Sequence, residues 1–205
     1  MRTLHKNKKS GFTLVEMTVS LAVFTIVLFI ATSTFLSVVN SDRKSQSVRI
    51  ATDNLNLTLE DMARKIKTGS NYSCGGNPGT ADCSTAQSII ALDDQAGTRI
   101  IYKRGQGSGA IVSGVSASGC GSSSYTATQG CILRSDGGGV FLPATSPEID
   151  ITSLNFFVVG SNSYASGDRI QPTVVVSADG LLGDLSSTRT SFKIQTAITQ
   201  RQYDH

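Results

Sequence analysis

The sequence predicts an α+β protein: one long amino-terminal helix packed on an antiparallel β-sheet. Three observations carry that reading. Residues 17–41 hold no charge, no Pro and no Gly across 25 positions. Val48, Ala51, Leu55, Leu59, Met62 and Ile66 then recur at spacings of 3, 4, 4, 3 and 4, which places them on a single helix stripe. Near the end, Phe192, Ile194, Thr196 and Ile198 alternate with Lys193, Gln195, Ala197 and Thr199, the period of a strand with one covered face. The 205 residues suit one domain plus an appendage. With 39% apolar residues, no glycine period and no sustained heptad, the chain is not collagen, coiled coil or wholly disordered.

Residues 1–11 form a basic leader. Arg2, Lys6, Lys8 and Lys9 give it +4 with no acid, so subtracting it from the formal +3 leaves −1 for residues 12–205. The basicity therefore belongs to the leader, and broad phosphate binding by the remainder is disfavoured. Residues 12–41 follow as an apolar helix. About 20 apolar residues cross a hydrocarbon core, so the segment is long enough to span. The leader's charge favours an inside amino terminus with the carboxyl-terminal bulk outside, although Arg43 and Lys44 on the far flank weaken the asymmetry.

A cleaved secretory signal has an apolar core of only about 7–15 residues, which this segment exceeds. A plain signal anchor explains the length but not Glu16 in the first turn. A carboxylate at the edge of hydrocarbon requires a positive partner or stands at a heavy desolvation cost.

The run Lys9-Ser10-Gly11-Phe12-Thr13-Leu14-Val15-Glu16-Met17 resembles the processing site of type IV prepilins and type II secretion pseudopilins. The resemblance implies cleavage after Gly11 by a prepilin peptidase, methylation of the new terminus at Phe12, and an assembly role for Glu16. In such filaments the acid of one subunit meets the amino terminus of a neighbour. It also implies the remaining partners: other pilin or pseudopilin subunits, an inner-membrane assembly platform, and the lipid bilayer before assembly. Location in the inner membrane, with the carboxyl-terminal domain outside and later in a pilus or pseudopilus, follows from the same likeness. Major subunits often carry Pro in the middle of this segment. Thr32, Ser33 and Thr34 stand there instead, and their hydroxyls bond back to the preceding turn without removing a donor. A continuous helix is expected, which leans toward a minor subunit. The closing stretch Thr190-Ser191-Phe192-Lys193-Ile194-Gln195-Thr196, ending near Arg201, is loosely similar to minor pilins related to the J-type pseudopilin of type II secretion.

Residues 42–68 continue the helix in amphipathic form, so one helix from about Thr13 to about Lys67 is predicted. Gly69 marks its stop, and Arg64, Lys65 and Lys67 suit the negative end of its dipole. Residues 69–205 read as a β-rich domain outside the membrane. Residues 88–92 and 98–103 flank Asp93-Asp94-Gln95-Ala96-Gly97, the pattern of a hairpin. Further strands are predicted at 131–134, 140–142, 154–159, 173–177 and 190–199. Residues 105–124 have linker composition, with Ile111-Val112 as a brief pairing candidate.

Four cysteines, Cys74, Cys83, Cys120 and Cys131, allow three pairings. Sequential pairing closes two short loops and suits an oxidising exterior. Zinc needs closer pairs than these. No cofactor or metal is expected. Ser135-Asp136-Gly137-Gly138-Gly139 and Asp179-Gly180 to Asp184 are acidic, glycine-bearing turns without the alternating ligands of a known calcium loop. The two histidines, His5 and His205, lie at opposite ends of the chain, so no His-based triad is available and the protein is read as not an enzyme. The predicted function is a structural subunit of a type IV pilus, competence pilus or type II secretion pseudopilus. The alternative is a membrane-anchored surface binding protein, an adhesin or DNA-uptake tip. That alternative displays the Gly/Ser-rich loops; for phosphate binding the residues offer only a local patch around Lys103 and Arg104, and a DNA or surface ligand is otherwise unsupported.

Overall fold

The computed structural model describes residues 11–75, 82–108, 119–121, 124–162, 170–183 and 189–201. One helix, α1 (Leu14–Thr68), is followed by nine strands: β1 (Ser70–Cys74), β2 (Cys83–Gln87), β3 (Ile89–Asp93), β4 (Arg99–Gln106), β5 (Gly130–Asp136), β6 (Leu142–Pro143), β7 (Ile149–Val159), β8 (Thr173–Leu182) and β9 (Thr190–Thr199). The chain falls into two compact units, one ending at Arg43 and the other beginning at Lys44, and α1 contributes to both.

In the first unit every described side chain from residue 12 to residue 38 is exposed. The helix passes the hydroxyl cluster without a break. Thr32 donates to Leu28 O at 2.8 Å, and Ser33 and Thr34 both donate to Ile30 O at 2.9 Å. The hydroxyls are thereby satisfied inside the helix, which an apolar surrounding requires.

In the second unit the strands form two antiparallel sheets, ordered β1-β3-β4-β5-β6 and β2-β7-β8-β9. The expected single sheet is thus divided. The helix stripe, one face of the first sheet (Ile90, Leu92, Ile100, Tyr102, Ile132) and one face of the second share a core. Of the predicted stripe, Ala51, Leu55, Met62 and Ile66 are buried. Leu59 is only half-buried, and Thr58 takes its place in the core. The Thr58 hydroxyl lies 2.7 Å from Ala144 O and 3.0 Å from Asn54 O, tying α1 to the residue after β6. Leu55, Met62 and Ile66 each contribute roughly 1.5–3 kcal/mol by burial.

The helix end is closed by later residues. Tyr72 Oη lies 2.6 Å from Ile66 O and 2.8 Å from Gly69 O, and Arg201 N–H donates to Lys67 O at 2.8 Å. These are carbonyls that no further helical turn can satisfy. Gly69 is the predicted stop, but the reason is packing: a Cβ there would lie 2.5 Å from Leu92 Cδ1 and 2.9 Å from Lys65 O.

The predicted hairpin forms with Ile89↔Lys103 through Asp93↔Arg99 in register. Its turn is held by Asp94, whose carboxylate accepts from Ala96 N–H at 2.9 Å and Thr98 N–H at 2.8 Å. Four strands are longer than expected, among them β5, which spans Gly130–Asp136 against the predicted 131–134. β4 runs on through Gly105 and Gln106, opposite Cys131 and Gly130, because the Leu133 side chain lies over Gly105, where a Cβ would sit 2.6 Å from its Cδ1. β7 begins at Ile149, since a bulge between Ile151 and Ser153 shifts the buried set from Ile149 and Ile151 to Leu154, Phe156 and Val158. β8 extends to Leu182 past Gly180, over which the Phe192 ring packs. The segment predicted at 140–142 is reduced to a bridge at Val140 and the two-residue β6. Ile111 and Val112 lie outside the described residues.

The first sheet is covered on both faces. Ala91, Ile101, Cys131 and Leu133 point away from the helix and pack with Cys120, Tyr125 and Phe141 in a second, smaller core. Disulfides join Cys74 to Cys83 and Cys120 to Cys131.

Candidate functional site

The candidate site is the amino-terminal turn of α1 and the apolar surface that follows it. Thr13 sits just before the helix, and its Oγ1 accepts the Glu16 N–H at 3.3 Å. Thr13-Leu14-Val15-Glu16 is the T-x-x-E spacing of a capping box, with Thr13 as the cap and Glu16 three residues on. The apolar run and its lone acid point to Glu16, and the structure adds Thr13 as the helix cap. The signal was present in that spacing, overshadowed by the apolar run. Among the described residues no hydrogen bond or ion pair engages the Glu16 carboxylate, which stands exposed in the first turn.

Position alone gives this acid work to do. A helix amino terminus carries about half a positive charge, which a first-turn carboxylate stabilises. A chain beginning at Phe12 would add a full ammonium at that same pole, and Glu16 is the first carboxylate able to offset it. Beyond Glu16 come Phe24, Phe29 and Phe35, exposed at 58%, 80% and 66%, among a continuous apolar surface. α1 contains a stretch long and apolar enough to cross a membrane. Its length exceeds the core of a secretory signal.

The family model described as the prokaryotic N-terminal methylation motif matches residues 6–32. The chain carries a type IV pilin-like prepilin motif. The match takes in Gly11, Phe12, Glu16 and the first half of the apolar run, and its family is a structural motif rather than an enzyme family. Neither the curated proteins nor the solved structures yield a match to the chain. The motif implies processing by a prepilin peptidase and assembly with other pilins.

The other residues considered from the sequence are placed as follows. Lys103 does not form a surface patch with Arg104. Its register partners are Ile89 and Leu133, so it points into the smaller core, 5% exposed, with Nζ 4.4 Å from the centre of the Phe141 ring. Burial pushes its pKa down. Arg104 instead links the sheets, its Nε donating to Ile151 O of β7 at 2.6 Å. Asp93 pairs with Arg99 at 2.9 Å, and Asp94 is the turn acceptor already described. Asp136 receives Arg134 Nε at 2.9 Å and Nη2 at 3.1 Å, while Ser135 Oγ donates to Gly139 O at 3.0 Å, so this turn is held by its own contacts. Asp179 faces Lys193 at 3.8 Å, and Asp184 lies outside the described residues. Among the described residues no group of His, Cys, Asp or Glu could hold a metal ion.

Proposed function

We propose that the protein is a minor pilin or pseudopilin, a structural subunit of a type IV pilus, competence pilus or type II secretion pseudopilus. The single observation that supports this most is the coincidence of three features in residues 11–41: Gly11-Phe12 at the motif's processing position, Glu16 in the first helical turn, and an unbroken exposed apolar helix behind them. In this reading residues 1–11 are a leader cut on the cytoplasmic side. Gly11 offers the peptidase an unhindered backbone, and Phe12 becomes the methylated amino terminus. Residues 12–41 anchor the protein in the inner membrane with the carboxyl-terminal part outside, then enter the core of a filament.

Within that core the Glu16 carboxylate of one subunit meets the Phe12 ammonium of its neighbour. Two opposite charges attract far more strongly in a low-dielectric core than in water, while either alone is heavily penalised there. The pair therefore selects one stagger between adjacent helices. Continuity of α1 through Thr32-Ser33-Thr34 favours a minor over a major subunit. The chemistry performed is mechanical: initiation, tip formation or adaptation of the filament. The basic patch considered for a DNA ligand, Lys103 and Arg104, is engaged inside the fold.

Intact-mass spectrometry of the native membrane or filament fraction tests the reading. The expected mass lacks residues 1–11 and carries one added methyl. A chain that still begins at Met1 overturns it. Glu16→Ala should insert in the membrane yet enter filaments at least tenfold less than wild type when the two are co-expressed, a loss on the scale of about 1.4 kcal/mol. Equal incorporation counts against the pairing.

A further inference from the structure

The first sheet carries a cross-strand row, Ile90, Tyr102, Arg134 and Leu142, on the face that meets α1. The helix covers the row at Tyr102 and leaves it open toward β6, where a groove of about 660 Å³ remains. That is within the range of about 300–1,000 Å³ usual for ligand clefts. Leu57 of α1 with Val140 and Leu142 make an apolar rim, exposed at 67%, 46% and 57%. Thr58, Pro143 and Ala144 line it further in.

The polar part of the groove is unusual in two respects. Tyr102 is 1% exposed and lines the groove, yet its hydroxyl has no hydrogen-bond partner among the described residues. A buried hydroxyl without a partner retains its full desolvation penalty. Beside it, Arg134 is held by Asp61 through Nη1 at 2.8 Å and by both oxygens of Asp136. Burial raises the Tyr102 pKa; Arg134 lowers it and the two aspartates raise it, and all four residues line the same groove.

The ledger of charge is one cation against two carboxylates, a net −1. An anionic ligand would meet a guanidinium already committed to two acids. A purely apolar side chain would leave the Tyr102 hydroxyl unpaired. A compact cation on an aliphatic stem satisfies every feature at once, because its stem lies on the rim and its head donates to the phenol oxygen and to Asp61.

We propose that this groove is a docking site for a lysine-bearing segment of a partner protein, the stem seated on Leu57 and Leu142 and the ammonium bonded to Tyr102 Oη and Asp61. The site stands on its own chemistry and does not depend on the filament reading. The test uses the full chain in detergent micelles, with the methyls of Leu57, Val140 and Leu142 observed by NMR. The probe is the capped tripeptide Ala-Lys-Ala, compared with the same peptide bearing norleucine or glutamate in the centre. The lysine peptide is expected to give saturable shifts in the millimolar range. Tyr102→Phe should weaken binding about tenfold, since one hydrogen bond to a charged group is lost, while leaving the unliganded protein no less stable. Asp61→Asn should weaken it by a similar factor. Equal binding of the norleucine peptide would reduce the groove to an apolar contact. Tighter binding of the glutamate peptide would make Arg134 its determinant, and no saturable shift with any peptide would leave the phenol solvated by water. Each of those three results overturns the proposal.

Discussion

Cys74 closes β1, an edge strand of the five-stranded sheet, and is bonded to Cys83, which opens β2, an edge strand of the four-stranded sheet. The bond therefore joins two sheets as well as two ends of a loop. Nearby, Asp82 reinforces the same corner: its Oδ1 accepts Ser161 N–H at 2.7 Å and Ser161 Oγ–H at 2.9 Å, fastening the start of β2 to the chain just past β7.

Removing each disulfide should destabilise the second unit to a different extent. Cys74 and Cys83 are nine residues apart and Cys120 and Cys131 eleven, so chain entropy alone gives each about 3 kcal/mol. Cys120 and Cys131 are both fully buried and hold Cys120 and its neighbours over Ala91, Ile101 and Leu133. The double variant Cys120→Ala/Cys131→Ala should thus lose more than Cys74→Ala/Cys83→Ala, by about 1 kcal/mol or more for the uncovered apolar surface. Thermal melts of the two variants under non-reducing conditions check the order.

Gly130→Ala should be far more damaging than Gly97→Ala. A Cβ on Gly130 would lie 2.0 Å from Ile151 O, the atom that also accepts Arg104 Nε, and would displace the Gly130 N–H bond to Asp150 Oδ1 at 2.8 Å. Both bonds run between the first sheet and β7. The expected cost is about 3 kcal/mol or more from overpacking. Gly97 has φ +76° in open space, so its alanine variant should cost only about 1 kcal/mol. Denaturant midpoints at unchanged slope provide the comparison.

Acid should weaken the Asp82 clamp in a defined window. Burial pushes the Asp82 pKa up, but the hydrogen bonds from Ser161 and the Gly160 backbone outweigh it, and the net value lies below the ordinary 3.8. A carboxylate whose folded pKa is depressed binds fewer protons folded than unfolded. Its contribution is complete above pH 3.8 and fades as pH falls through the lower, folded value. Wild type should therefore exceed Asp82→Asn in stability at neutral pH, and the two unfolding curves should converge once the pH has fallen through the depressed folded value. A gap that persists in stronger acid would assign the difference to something other than ionisation.

Several elements were legible because their signals are local. The β3–β4 hairpin followed from two short apolar runs around Asp94 and Gly97, and β9 from the alternation of Phe192, Ile194, Thr196 and Ile198 with outward residues. The remaining strands were cut short where a tertiary contact replaced the expected side chain. Gly180 breaks the pattern of β8 because Phe192 fills the space above it, and the bulge at Thr152-Ser153 reverses the parity of β7. The apolar stripe points to Leu59 rather than Thr58, whose buried hydroxyl is tolerable only with Ala144 O in reach. β1 and β2 are polar strands whose pairing depends on Cys74, Cys83 and distant partners in β3 and β7.

By itself the sequence determined the long helix, its uncovered apolar half and the prepilin motif at its head, since helical period, absence of charge and the run from Lys9 to Met17 are properties of neighbouring residues. Only the tertiary structure decided that the strands divide into two sheets, that Lys103 turns inward against Phe141, and that Tyr102, Asp61 and Arg134 meet in one groove. Those outcomes depend on which residues face each other across strands and helix, and that pairing is set by packing between segments far apart along the chain.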